Sequence, residues 1–170
     1  MKGLCFAGLG LLVAVGGCGF SGGGGGEHAA AAATVRPSAV SGLGSVKDSG
    51  DIPDPCTLLS REDVLSLTGR AITQVDEDGG SAGDTTRFCQ WQQDGGQLAL
   101  FLSRTTKDDF ETAVEGAEPV KDVGESAFQL AGHLYVLYGS VQIDVYSRGG
   151  SDEQNLTDAE EVVEAVMPRI

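Results

Sequence analysis

Polar and apolar residues alternate along several short segments in the second half of the chain. The plainest case is VQIDVYS, in which Val141, Ile143 and Val145 share one side of an extended chain. Gln142 and Asp144 share the other side. Successive side chains of a strand point to opposite faces, so this pattern predicts strands with one apolar face.

Short polar connections join these strands into hairpins. Asp94-Gly95-Gly96 separates FCQWQQ from QLALFLSR, and Gly139-Ser140 separates LYVLY from VQIDVYS. Ala131-Gly132-His133 makes a third short turn, between AFQL and LYVLY. A further strand, AITQV, is expected after the first helix. Together these segments predict an antiparallel sheet.

Three helices are predicted from residues that favour helix ends. Ser60 caps a helix that stops at Gly69. Thr106 caps a second helix, which closes at Gly116. Thr157-Asp158-Ala159-Glu160 has the form of a capping box before VVEAVM and predicts where the third begins. The order of helices and strands predicts an α+β domain, an antiparallel sheet covered by helices.

The N-terminus has a different pattern, one uncharged apolar run between Lys2 and Cys18. A charged start, a short apolar core and small residues before a cleavage point are typical of a secretory signal. The run is about a dozen residues, shorter than the roughly 20 that span a bilayer. Val15-Gly16-Gly17-Cys18 resembles the lipobox of bacterial lipoproteins. This resemblance implies that residues 1–17 are removed and that Cys18 carries a diacylglyceryl anchor with acyl chains such as palmitate. The alternative is an ordinary secreted protein.

Residues 18–50 are rich in Gly, Ala and Ser and contain few large apolar side chains. Such a segment buries too little surface to offset its ordering entropy, so we expect a disordered tether after the lipidated cysteine. The remaining residues, 51–170, have the length of one globular domain.

This predicted domain is strongly acidic. Residues 51–170 contain 23 Asp and Glu against 8 Lys and Arg, a net formal charge of −15. Nucleic acid is an implausible partner because phosphate binding depends on clustered basic residues. Anionic headgroups repel such a domain as well, so the expected contact with the membrane is through the lipid.

The four cysteines divide into three groups. Cys5 lies in the signal and Cys18 takes the lipid, which leaves Cys56 and Cys89 as the pair within the domain. Outside the cytoplasm disulfides persist, and we predict a structural bridge between the two. The alternatives are a metal site, which lacks further soft ligands, and a redox-active pair, which lacks C-x-x-C spacing.

Candidate catalytic and metal-binding residues are few. His133 is the one histidine of the domain, and nothing marks a serine as its activated partner. Asp76-Glu77-Asp78-Gly79-Gly80 suggests a calcium loop, but its twelfth position is Arg87 where an EF-hand needs Glu, so we expect a solvated acidic turn. G-x-G-x-x-G at 17–22 and G-x-S-x-G at 19–23 lack the strand and helix that such motifs need. We predict no catalytic residue, metal or cofactor.

Three segments of the domain carry a family resemblance. Asp54-Pro55-Cys56-Thr57-Leu58-Leu59, Cys89-Gln90-Trp91 and Val123-Gly124-Glu125-Ser126-Ala127-Phe128 resemble, in this order, the actinobacterial lipoproteins grouped as domain of unknown function 3558. Members are cell-envelope lipoproteins without an assigned activity. The resemblance therefore implies the anchor and the cysteine pair, and supplies no mechanism. The order of elements is also similar to that of the PsbP-like α/β/α sandwich.

Physical roles can be assigned to these shared residues. Cys56 would tie the first helix to the strand that carries Cys89. Trp91 lies two residues further, on the same strand face, and is expected to pack beside the bridge. The alternative for Trp91 is a stacking surface for a ligand ring. Gly124 would permit a turn.

Two functions remain open at this point. The first is a non-catalytic module, lipid-anchored to the outer side of the cell membrane, that binds an envelope ligand or protein or acts structurally. The second is an extracytoplasmic hydrolase whose site forms only in the folded chain. An apolar pocket without converging titratable groups favours the first. A carboxylate or His133 with a perturbed pKa in a cleft favours the second. We prefer the first.

Overall fold

The computed structural model describes residues 46–170. Four helices occur in this part of the chain, α1 (Pro55–Leu58), α2 (Arg61–Thr68), α3 (Lys107–Ala113) and α4 (Asp152–Val166), with a final 3-10 turn at Met167–Arg169. The strands are β1 (Ile72–Glu77), β2 (Thr86–Gln93), β3 (Gly96–Arg104), β4 (Glu118–Val120), β5 (Ser126–Leu130), β6 (His133–Tyr138) and β7 (Val141–Arg148). Among the described residues, no helix has the length and apolarity to cross a bilayer.

All seven strands form one sheet in the order β1-β2-β3-β7-β6-β5-β4, and every neighbouring pair is antiparallel. The N-terminal three strands and the C-terminal four meet where β3 pairs with β7. The predicted α+β fold with an antiparallel sheet is therefore confirmed. The short strand β4 and the one-turn helix α1 were not predicted.

The predicted hairpins are present, and glycine conformation explains two of their turns. Gly95 and Gly139 have φ angles of +71° and +60°, in the left-handed region that glycine adopts without strain. One detail differs from prediction. His133 is the first residue of β6 instead of part of the turn, because it pairs with Leu130 and Tyr146 on the neighbouring strands.

The first two helices begin where their caps predict. Ser60 and Asp63 form a reciprocal capping box at the start of α2, which ends at the left-handed Gly69. At the start of α3, the Thr106 side chain accepts a hydrogen bond from the backbone N–H of Asp109. This helix ends at Ala113, three residues before the predicted stop.

The predicted start of the third long helix is wrong. Ser151 caps α4, accepting a hydrogen bond from the Gln154 backbone, and two acidic residues occupy the first turn. Thr157 lies inside the helix and its hydroxyl donates to the carbonyl of Glu153 one turn earlier. The reason is that an equally good cap occurs six residues upstream, and the longer helix buries Asp158 and Ala159 against the sheet.

The sheet has two faces of unlike chemistry. On the first face, α1, α2 and α4 cover the main core, which is almost entirely aliphatic and includes Val64, Leu98, Leu100, Leu102, Val136, Ile143, Val145, Val162 and Val163. On the second face, α3 covers only the β5–β6 region, where Phe110 and Val114 bury Leu137 and pack on Phe128 and Tyr135. The layers are helix, sheet and partial helix. The predicted similarity to the PsbP-like α/β/α sandwich stays a prediction.

Residues just before the predicted domain boundary at residue 51 contact the folded sheet. The backbone carbonyl of Lys47 accepts a hydrogen bond of 2.7 Å from the N–H of Ser140, in the β6–β7 turn. Its ammonium group lies 2.8 Å from a Glu125 carboxylate oxygen and 4.6 Å from the centre of the Tyr138 ring. The chain therefore joins the sheet at the β6–β7 turn.

Candidate functional site

A disulfide joins Cys56 of α1 to Cys89 of β2, with 5.0 Å between their Cα atoms. The bridge fixes the one-turn helix α1 to β2, the second strand from one edge of the sheet, as predicted for this pair. Trp91 belongs to the main core and is only 2% exposed. Its ring is therefore packed on the same strand face as Cys89, and burial removes the surface that a stacking ligand would need.

One residue of the acidic segment at residues 76–80, Asp78, forms a buried ion pair with Arg87 of β2. Asp78 accepts hydrogen bonds from Nε of Arg87 at 2.8 Å and from the backbone N–H of Phe88. The Asp78 side chain is 10% exposed and that of Arg87 is 9% exposed. The expectation of a solvated acidic turn is thus wrong for Asp78. The hydrogen bond from Arg87 lowers the pKa of Asp78 to about 2. No described His, Cys, Asp and Glu form a cluster that could hold a metal ion.

The most distinctive surface is the part of the second sheet face that α3 leaves uncovered, which we call the open face. Strand pairing brings together its residues from β2, β3, β6 and β7, which are Thr86, Phe88, Gln90, Gln92, Gln97, Ala99, Phe101, Ser103, His133, Gln142, Asp144, Tyr146 and Arg148. Except for Ala99, these side chains are partly accessible to solvent.

Aromatic residues are concentrated on the second face. Within the described part of the chain, every Phe and Tyr except Tyr138 lies on a second-face position of a strand or on α3. Phe88, Phe101 and Tyr146 pack into neither hydrophobic cluster. Phe88 and Phe101 instead contact each other, with ring centres 5.5 Å apart. Three rings on the open face therefore lack core partners.

His133 and Asp144 form a hydrogen-bonded pair on the open face. Nδ1 of His133 donates to Oδ1 of Asp144 over 2.7 Å, and this bond raises the pKa of His133 although burial opposes the shift. The imidazole also packs between two tyrosine rings, at 5.7 Å from Tyr135 and 4.9 Å from Tyr146 between centres. The ring is thereby fixed in one orientation.

Amide side chains border the aromatic residues. Gln92, Gln97 and Gln142 are half-buried, and their amide groups make no hydrogen bond with any other residue of the described part. Each carries two N–H donors and one carbonyl acceptor that remain free for a ligand. The open face thus combines ring surfaces with unused donors and acceptors.

A groove of about 670 Å³ lies at the end of the sheet near the β5–β6 turn. Leu134, Leu156 and Ala159 form an apolar part of its lining, and Glu118, Gln129 and Asp152 contribute polar groups. Tyr146 also lines it and so connects the groove to the open face. His133 and Asp144 do not line it.

Sequence reasoning identified the cysteine pair but not the open face. His133, Asp144 and Tyr146 were visible as individual residues, and the alternation in VQIDVYS correctly placed Asp144 on the polar side of its strand. Their assembly depends on β7 pairing with both β3 and β6. Cys18 lies outside the described residues.

A family model described as a protein of unknown function, DUF3558, matches residues 13–149. This is most of the chain. The chain belongs to the DUF3558 family. No curated protein and no solved structure matches it. The DUF3558 match spans Cys18, the Cys56–Cys89 bridge and the strands of the open face, whereas α4 lies beyond its end.

Proposed function

We propose that this DUF3558 protein is an extracytoplasmic lipoprotein of the actinobacterial type, held to the cell membrane by acyl chains on Cys18. Its domain is a non-catalytic module that binds an envelope ligand or partner. The sequence Val15-Gly16-Gly17-Cys18 after an apolar run supports the anchor. A diacylglyceryl group supplies the two acyl chains that stable anchoring needs.

The Cys56–Cys89 bridge supports a location outside the cytoplasm. It joins α1 to a strand in the sheet interior, and Cys89 is fully buried. Structural disulfides form and persist in oxidising compartments and are rare where thiols are kept reduced. The bridge therefore fits an exported domain.

The observation that carries the binding function is the open face. Phe88, Phe101 and Tyr146 are held beside free amides without packing into a core. Partly exposed apolar groups collected on one face of a domain are typical of a binding surface. The acidic charge of the domain disfavours nucleic acid as the partner.

The point where the N-terminal segment meets the sheet supports a module whose groove faces away from a membrane anchor. Lys47 contacts the β6–β7 turn, whereas the groove surrounds the β5–β6 turn. Strand β6 runs from one turn to the other, so the two features lie at opposite ends of the sheet. A tether ending at Lys47 would leave the groove free.

Intact mass of the full-length protein from the native membrane fraction tests the proposal. We expect a chain that begins at Cys18 and carries diacylglyceryl mass, with Cys56 and Cys89 alkylated only after reduction. Cys18→Ala is the matched control. This variant should lack the diacylglyceryl mass and should no longer be found in the membrane fraction. An unlipidated wild-type chain would contradict the anchor, and free thiols would contradict the bridge.

The His133–Asp144 hydrogen bond favours one second candidate, an extracytoplasmic hydrolase. A histidine oriented by a carboxylate is two-thirds of a nucleophile–base–acid triad. The third member must lie within hydrogen-bond reach of the imidazole, and among residues 46–170 His133 has no hydroxyl or thiol partner. Hydrolysis of ester, amide or glycoside probes that His133→Gln abolishes would favour this candidate over the binding module.

A further inference from the structure

We propose that the open face binds a neutral oligosaccharide. The inference rests on the proposed binding function and specifies its ligand class. It follows from three properties of the same surface, which are its ring planes, its free amides and the pairing of its one carboxylate among the rings, Asp144, with His133.

The rings follow one line across the sheet. Strand pairing places Asp144 of β7 opposite Phe101 of β3, and Phe101 opposite Phe88 of β2. Neighbouring strands are about 4.8 Å apart, so this line extends about 10 Å beyond the part that α3 covers. Tyr146 lies beside it, one same-face position along β7 from Asp144. The arrangement suits an extended ligand with repeated flat units.

Sugar rings have two kinds of surface, and the open face offers a partner for each. Their C–H groups form apolar patches that pack on aromatic rings such as Phe101 and Tyr146. Their hydroxyl groups both donate and accept hydrogen bonds, as amide side chains do. Gln92 and Gln97 face each other across β2 and β3, and neither amide group hydrogen-bonds a described residue.

Charge selects a neutral ligand over an anionic one. Within the ring line, the carboxylate of Asp144 is hydrogen-bonded to His133. The exposed cation of the open face, Arg148, lies outside that line, at the end of β7 opposite Gln97. The domain has a net formal charge of −15 and repels anionic polymers at long range. A neutral oligosaccharide is not subject to this repulsion.

Isothermal titration of the full-length, lipidated protein in detergent provides the test. The probes are maltohexaose, cellohexaose and a linear arabino-oligosaccharide as neutral ligands, with a polygalacturonate oligomer as the anionic comparison. We expect saturable binding of at least one neutral probe, and no binding of the anionic one.

Variants assign that binding to the open face. Phe101→Ala and Tyr146→Ala should each weaken the affinity by about tenfold, since each removes a stacking ring. Gln97→Ala, at a half-buried amide outside the core, should weaken it as well and is the variant expected to fold normally. Leu65→Ala is the matched control, because Leu65 is 46% exposed on α2 and lies away from the open face.

Three results would overturn the inference. They are failure of the wild-type protein to bind any neutral probe, stronger binding of the anionic probe, and neutral binding that survives Gln97→Ala together with the ring variants. If intact mass confirms lipidated Cys18 while no neutral probe binds, the ligand class is wrong and the anchored module stands. If the protein is unlipidated but binds neutral probes, the anchor is wrong and the ligand class stands.

Discussion

Arg70 and Asp158 form an ion pair beneath α4, with 2.6 Å between Nη2 and Oδ2. The Asp158 side chain is 3% exposed, and it also accepts hydrogen bonds from Ser147 and from the Gln154 amide. These contacts join the loop after α2, the end of β7 and the first half of α4. Arg70 and Asp158 are 88 residues apart in the sequence.

Asp158→Ala should lower the free energy of unfolding by about 3 kcal/mol, because it leaves the Arg70 guanidinium, which is 14% exposed, without its carboxylate. Urea denaturation at neutral pH measures this. Glu111→Ala is the control, since it breaks the exposed Lys107–Glu111 pair and should change stability by less than about 0.5 kcal/mol. Equal effects of the two variants would contradict the importance of burial.

Asp78 should make stability depend on acid pH. Its pKa in the folded chain is about 2, below the value of 3.8 for an unperturbed carboxyl, because of its hydrogen bond from Arg87. The unfolded chain therefore takes up the proton first. The stabilisation is present above about pH 4 and is lost as the pH falls to 2.

Urea denaturation of Asp78→Asn between pH 5 and pH 2 tests this dependence. The variant should lose less stability over that range than wild type, by up to about 2 kcal/mol. Asp63→Asn is the comparison, because Asp63 also has a pKa of about 2 but is more exposed beside Arg169. Solvent screening should make the effect of Asp63→Asn the smaller one.

The His133–Asp144 bond predicts the opposite pH dependence. The raised pKa of His133 means that its stabilisation is complete below about pH 6.5 and disappears as the pH rises through the folded value. Titration of the imidazole C–H signals by NMR should give a value above 6.5 in wild type. Asp144→Asn should lower it. His28→Gln assigns the signals, since these are the two histidines of the sequence.

Gly124→Ala should be strongly destabilising, whereas Gly83→Ala should not. Both glycines have left-handed φ angles, +58° and +91°, which cost an alanine about 1 to 2 kcal/mol. A Cβ at Gly124 would also clash with Val136 and lie 2.9 Å from the carbonyl of Leu137, while nothing lies within 4 Å at Gly83. We expect Gly124→Ala to cost at least about 3 kcal/mol in urea denaturation. Equal losses of stability in the two variants would show that the contacts with Val136 and Leu137 are unimportant at Gly124.

Local signals predicted local structure well. The Gly139-Ser140 hairpin and the Ser60 cap depend on residues close in sequence, and both are present. The start of α4 was missed because Ser151 and Thr157 both satisfy the rules for a cap, and burial decided between them. The local sequence pattern does not show which helix residues a distant strand will bury.

The binding surface and the buried ion pairs could not be predicted for a related reason. Asp78 appeared to be one of many surface acids until β2 placed Arg87 against it. Phe101 and Tyr146 belong to strands that are distant in sequence and become neighbours through the β3–β7 pairing. Alternation within each strand showed which side a residue occupies, but not which residues share that side across the sheet.

The burial of Trp91 gives the protein an internal spectroscopic reporter. It is the single tryptophan of the sequence, and its ring lies in the core on the opposite side of the sheet from Phe101 and Tyr146. Its fluorescence should therefore shift to longer wavelength when the core opens to water. Occupation of the open face should leave that emission wavelength unchanged, so one optical signal separates unfolding from ligand binding.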